Sequence, residues 1–164
     1  MTNLRDEHMD HLVRLDYEAN ELERLCNGTK CMIVRGLSDS RPPHKSVHDG
    51  DRLFFVQEGC ESIVRAVATV CNVDSTRLLD HETSIMRLMQ NQRKLMLTGK
   101  QFQKWGGHRF MVFVEVKDVE RLNLFLVDPL ILGSDGWAII EDISLLKCQS
   151  LPTALHESGA QLQI

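Results

Sequence analysis

Residues 62–73, S-I-V-R-A-V-A-T-V-C-N-V, constrain the fold more than any other stretch. Val64, Ala66, Ala68 and Val70 fall on one face of an extended chain, and Ile63, Val67, Cys71 and Val73 share the other with Arg65 and Thr69. A strand apolar on both faces, but small on one, suits a tight barrel interior. Residues 52–57 carry Leu53, Phe54, Phe55 and Val56 and reach this strand through a hairpin connection around Gly59. Residues 108–119 read as a second strong strand, with Phe110, Val112, Val114 and Val116 on one face, and 122–127 as its separate neighbour. Residues 11–15 supply a first short strand, and 137–143 a last strand or turn.

Two helices are predicted. Asp16 is the expected N-cap of a helix over 17–26, with Glu18 and Glu21 in the first turn and Leu22, Leu25 and Cys26 as the apolar stripe. Gly28 suits the position after it that needs positive φ. The main helix is expected over 75–97, where Leu78, Ile85, Leu88 or Met89, and Leu95 or Met96 recur at helical spacing, with the methionines as core filling. Thr98-Gly99 ends it, and 100–107 is read as a basic, aromatic-bearing connection. Residues 36–51 form a loop rich in Ser, Asp, Pro and Gly, long enough to suggest a function. Periodicity by itself gives an α+β chain with a mainly antiparallel sheet. The expected organisation is a flexible N-terminus over 1–9, one domain over 10–147 and a flexible tail over 148–164.

At 164 residues, with 43% hydrophobic and 26% charged side chains, the chain is long enough for a real core. No apolar run approaches the length that spans a bilayer, and charged residues break up the first fifteen positions, so neither membrane insertion nor a signal peptide is expected. Five cysteines without close pairing suit a reducing, cytoplasmic setting. A net charge of −4 argues against nonspecific coating of nucleic acid. The distribution says more: residues 83–114 hold Arg87, Arg93, Lys94, Lys100, Lys104 and Arg109 with no acid. A basic segment in an acidic chain suggests a confined anionic ligand; a solvated basic helix face is the plain alternative.

Residues 27–35, N-G-T-K-C-M-I-V-R, take the chain from a helix directly into a strand with Lys30 at the junction. A cation fixed on rigid structure beside a loop is suited to hold phosphate or a polarised carbonyl. Gly28, Lys30 and Arg35 resemble the G-x-K-x-x-E-x-R signature of ASCH domains, a branch of the PUA-like β-barrel superfamily. The fourth position, glutamate or in some enzymatic members threonine, is Ile33 here. The later order, including V-x-x-G-D at 47–51 and G-x-x-G-W at 133–137, is similar to the family over about 10–147.

The resemblance implies a small PUA-like, ASCH-type, mostly antiparallel β-barrel with flanking helices, and a cleft into which Lys30 points. The expected role is an RNA- or nucleotide-binding module, with RNA or a nucleotide-like small molecule as partner. Lys30 and Arg35 would line the cleft, Arg41 and Lys45 would lie on the covering loop beside His44, and Lys104, Trp105 and Arg109 would add charge and stacking. Trp137 is assigned to the core because Ala138-Ile139-Ile140 follow it. A small hydrolase acting on a modified nucleoside or short RNA is the second reading, with Lys30 as its only catalytic candidate. Ile33 can neither donate a proton nor attack, so the enzyme is disfavoured, and Glu61, Glu82 and Glu115 are indistinguishable as acids. A protein-interaction adaptor that has lost its ligand is the third reading, and a cleft plugged by Ile33 would mark it.

Cys26, Cys31, His44 and His48 satisfy C-x4-C-x12-H-x3-H, the pattern of a zinc finger. The spacer lacks the apolar pair of a finger core, and Pro42-Pro43 would fall inside its helix, so the match is rejected and no metal or cofactor is expected.

Overall fold

The computed structural model describes residues 7–146 and the backbone of Gln149 and Ser150. Residues 1–6 of the expected N-terminal segment, and 147–148 and 151–164 around the expected tail boundary, lie outside the described residues. The strands are β1 (Asp10–Leu15), β2 (Met32–Leu37), β3 (Arg52–Gln57), β4 (Ile63–Ser75), β5 (Phe110–Leu126), β6 (Trp137–Ile140) and β7 (Gln149–Ser150). The helices are α1 (Glu21–Cys26), α2 (His81–Gln90), α3 (Gln92–Leu95) and α4 (Gly99–Trp105), with 3-10 turns at Pro129–Ile131 and Ile143–Leu146.

One mixed sheet runs in the order β2-β5-β4-β3-β1-β6, with β7 on β5. Every pair is antiparallel except β1 with β3, whose register runs from Asp10↔Arg52 to Leu15↔Gln57. The sheet curls into a half-barrel. Ile33 of β2 and Trp137 of β6, on opposite edge strands, share one interior cluster with Val13, Phe55, Ala68 and Val114. Small residues from β4 let the strands close around this core, as the 62–73 pattern demands. Outside it, Met32, Val34, Met111 and Phe113 meet Leu88, Leu95 and Leu97 under the helices. A third cluster packs Leu12, Phe54, Val56 and Phe125 against Leu132, Ile140 and Ile143.

β4 keeps its expected alternation of burial from Ile63 to Cys71, but its ladder with β5 is irregular. Register shifts lie between Val64 and Ala66, Val67 and Thr69, and Val70 and Asn72. Ala66, Ala68 and Val70 join the interior cluster, whereas Val64 packs in the third cluster with its ladder partner Phe125. The two expected strands over 108–127 are one seventeen-residue strand, β5. Asp118, at φ 51°, absorbs the irregularity that sequence alone makes look like a break.

The helical expectations shift more. The Tyr17 end of the first helix is a run of turns, stopped by Asp16 Oδ1 accepting from Ala19 N at 3.0 Å, and α1 begins only at Glu21 after Asn20 at φ 56°. Gly28 has the expected positive φ of 83°. The single helix over 75–97 is replaced by the end of β4, an extended link on β5, and two short helices broken at Asn91. Asp80 caps α2 by accepting from Thr83 N at 2.7 Å. Met86 and Met89 are exposed, so they are not the core filling expected of them; Leu88 and Leu95 fill that space. The segment 100–107 is mostly helical: Thr98 and Gln101 form a reciprocal capping box that starts α4. Gln149–Ser150, expected within a featureless tail, pairs with Phe125 and Leu126.

The 38–51 loop is held by buried polar groups. His44 receives Ser40 Oγ at Nδ1, 2.8 Å away, and donates from Nε2 to Thr76 O at 2.6 Å. Asp51 accepts from Met9 N and His48 N, both at 3.0 Å, and lies 2.8 Å from His11 Nε2. Trp137 Nε1 donates to His11 Nδ1 at 3.0 Å. An indole nitrogen only donates, so Nδ1 is unprotonated, the ring's proton sits on Nε2, and His11 is neutral. Burial pushes its pKa below the ordinary 6.5, against the pull of Asp51. A second proton would set N–H against N–H at Trp137. His11 therefore contributes no penalty above pH 6.5 and destabilises the fold as pH falls from there toward its lowered folded value. Urea midpoints should decline over that window, and the His11 imidazole should titrate below 6.5 by NMR; a midpoint at or above 6.5 would refute the assignment.

Candidate nucleotide-binding cleft

A cleft of about 240 Å³ opens where the two ends of the curled sheet approach each other. Its walls come from β1 and the turn after it (Arg14, Asp16), α1 (Glu21), β2 (Arg35), the long loop (Arg41, Pro43), α4 (Gln101, Lys104, Trp105) and the 134–136 turn (Asp135). Gly36 lines it too, and only glycine fits there. A Cβ on Gly36 would sit 2.5 Å from the His108 ring.

Arg35 is the central group. It alternates with Ile33 on β2, so both face the interior: Ile33 fills the core and Arg35 reaches the cleft. Its guanidinium donates from Nη1 to Val34 O at 2.8 Å and from Nη2 to Arg14 O at 2.6 Å. Its Cζ lies 5.3 Å from the Trp105 ring centre and 5.7 Å from that of Trp137. Among the described residues no carboxylate forms a salt bridge to it. Burial drives its pKa down, with Glu21 opposing and Arg14 adding to the shift. Two charge-assisted hydrogen bonds at ~1.5–3 kcal/mol each and two cation–π contacts at ~0.5–2 kcal/mol offset part of the several kcal/mol that desolvation costs. Lys104 stands over the Trp105 ring at 4.8 Å, so Trp105 is already engaged by two cations.

Lys30 is elsewhere. It is 1% exposed and does not line the cleft. Its ammonium lies 3.3 Å from Glu21 Oε2 and donates to Leu95 O, tying α1 and β2 to the end of α3. Burial lowers its pKa and Glu21 pulls it back up. Glu21, whose Oε1 accepts from Asp16 N at 2.8 Å, stands between Lys30 and the cleft. Of the other sequence candidates, Arg35, Arg41, Lys104 and Trp105 meet at the cleft, whereas Lys45 and Arg109 are exposed and do not line it. Arg41 is paired with Asp39 at 2.6 Å and Asp135 at 3.3 Å. Glu61 pairs with Arg14 and Glu115 with Lys94, and Glu82 is not among the lining residues.

Sequence reasoning missed Arg14, Asp16, Glu21, Glu58, Gln101 and Asp135, all of which line the cleft. A signal existed for Glu21, four residues before Leu25 and so on the buried stripe of its own helix. The position of Arg14 inside an apolar strand was another. Cys26, Cys31, His44 and His48 do not converge, and among the described residues no group of three or more His, Cys, Asp or Glu forms a metal-ligand set.

The half-barrel has an ASCH-type α+β fold. The chain aligns with the ASCH protein of Zymomonas mobilis at 13% identity, over 93% of this chain and 94% of that one, with a TM-score of 0.55. Two point variants of the same protein align similarly. The serine-to-alanine form gives 12% identity, 95% and 97% coverage and a TM-score of 0.57. The tyrosine-to-phenylalanine form gives 12%, 93% and 97%, and 0.55. No protein-family model matches the sequence, and no curated protein matches it.

The Lys30–Glu21 pair yields a test. Lys30→Met leaves a buried carboxylate without its counter-ion and should cost about 3–5 kcal/mol. Lys30→Met with Glu21→Gln should recover most of that loss in chemical denaturation. A single variant as stable as wild type would show that the pair does not hold α1 to α3.

Proposed function

We propose that this protein is an RNA- or nucleotide-binding module whose ligand enters the cleft between α4, the 38–51 loop and the 134–136 turn. The observation that carries the reading is Arg35, a guanidinium buried against two tryptophans yet lining the cleft, with no salt bridge among the described residues. A fixed cationic fork in a partly desolvated site suits phosphate, and Lys104 adds a flexible charge at the rim. Within the G-x-K-x-x-x-x-R motif, Arg35 acts on the ligand directly, and Lys30 acts by holding Glu21 in the wall. The ASCH-type fold supports a nucleic-acid-related ligand without naming one. No helix among the described residues is long and apolar enough to cross a membrane, and we take the cytoplasm as the site of action.

The lysine-centred hydrolase gains no support from Lys30, whose ammonium is shielded by Glu21 and bonded to Leu95 O. The adaptor reading loses its marker, because Ile33 fills the core and does not plug the cleft.

Titration of single-stranded RNA, duplex RNA, nucleotides and nucleosides against purified protein tests the proposal. Binding should weaken severalfold in Lys104→Ala and in Arg41→Ala, both at the rim, with thermal stability near that of wild type. Unchanged affinity for every ligand in the double variant would exclude the cleft as the binding site.

A further inference from the structure

We infer that the cleft accepts a single nucleotide unit bearing a phosphate monoester, and that the phosphate sits against the Arg14–Arg35 wall. This rests on the nucleotide-binding reading above and narrows it to one class of ligand.

The first observation is the incomplete bonding of two arginine forks on one wall. A guanidinium has five N–H bonds. Arg35 uses one to Val34 O and one to Arg14 O, leaving three without a hydrogen-bond partner among the described residues. Arg14 Nε is buried and makes no hydrogen bond; Glu61 Oε1, 3.4 Å away, is close enough only for an ion pair. Arg14 Nη2 donates to Gly133 O at 3.0 Å. The two side chains line the same cleft, and their charges are near enough to repel. An oxyanion with several acceptor oxygens relieves that repulsion and takes up the free donors.

The second observation is the charge balance of the remaining walls. Arg14, Arg35, Arg41 and Lys104 stand with Asp16, Glu21, Glu58 and Asp135, four cations and four carboxylates. Asp135 is neutralised by Arg41 and Glu21 by Lys30. A path for a strand of RNA needs cationic excess at each successive phosphate. Arg14 is itself ion-paired with Glu61, so among the described residues the wall cations without a salt bridge are Arg35 and Lys104, while Asp16 and Glu58 offer acceptors for hydroxyl or amino groups. At about 240 Å³ the space lies below the roughly 300–1,000 Å³ usual for ligand pockets, too small for a run of nucleotides. Arg35 and Lys104, with the unbonded donor of Arg14 beside them, match the double charge of a monoester better than the single charge of a diester. Such a group occurs on a free mononucleotide and on a phosphorylated RNA end.

The test is calorimetric titration of nucleoside 5′- and 3′-monophosphates, the parent nucleosides, and RNA hexamers with and without a terminal phosphate, at 50 and 200 mM salt. Monophosphates should bind at least about tenfold more tightly than nucleosides, with a log–log salt slope no steeper than about −2. Arg35→Lys keeps the charge but loses the fork, and should weaken monophosphate at least about tenfold without changing nucleoside affinity. Because Arg35 also supports the fold, Arg14→Gln provides a second variant, expected to weaken monophosphate binding in the same selective way. Hexamers bound only when end-phosphorylated identify RNA ends as the source, whereas mononucleotides bound in preference to either hexamer identify free nucleotides; both outcomes support the inference. Nucleosides binding as tightly as monophosphates, or unphosphorylated hexamers binding most tightly with a slope of several, would overturn it while leaving the nucleotide-binding module intact. No binding of any of these ligands would overturn both.

Discussion

Arg35 is the side chain on which the two ends of the sheet meet. It leaves β2, one edge of the strand order, and reaches a backbone carbonyl of β1 and the face of Trp137 on β6, the other edge. Main-chain ladders do not join β2 to β6, so the seam is closed by side chains. A guanidinium suits the task because its plane stacks between aromatic rings while its edge donates to carbonyls in two directions. A lysine would give a point charge without the plane. The same property makes the seam a candidate binding site: a cation long enough to span it cannot satisfy all five donors on the protein.

The groups that hold Arg35 belong to a wider buried network. Trp137 is oriented by His11, His11 by Asp51, and Asp51 also gathers the backbone of Met9 and His48. The interior of the half-barrel, the root of the long loop and the cleft wall are thus coupled through four side chains. Trp137, His11 and Asp51 are hydrogen-bonded to one another or to backbone, which is why they are tolerated at low exposure. Lys30 and Glu21 follow the same logic on the other side of the cleft. Their attraction holds α1 against α3, and the structural role of the lysine explains why a cation at a helix–strand junction is fully buried.

Such a site combines rigid and adaptable parts. Arg35, Gly36 and Glu21 sit on a strand and a helix, fixed by packing. Arg41 and Lys104 are on a loop and on a helix face with greater exposure. On the proposed reading, a rim that adjusts and a wall that does not would favour recognition of one fixed anionic group over tracking of an extended polyanion.

Much of this was legible in the amino-acid order. The alternation in 52–57, 62–73 and 108–119 determined strands, the small residues of β4 determined a tightly curled interior, and Gly28 marked the end of α1, because each depends on side chains a few positions apart. Capping chemistry at Asp80 and Thr98 was present but was outweighed by apolar spacing, so 75–97 read as one helix when Asn91 and the draw of β5 divide it. Val64 joined a different cluster from Ala66 for a reason periodicity cannot register: between their ladder partners, Phe125 and Arg121, β5 advances four residues while β4 advances two. The remaining walls of the cleft, and the partners of its charges, were decided by tertiary structure. Arg14, Glu21, Arg35 and Asp135 lie on four separate elements, and whether each cation meets a carboxylate, a carbonyl or solvent depends on how the sheet curls. Lys30 and Arg35 are five residues apart on one motif, yet the path of α1 buries the first behind a glutamate and leaves the second facing the cleft.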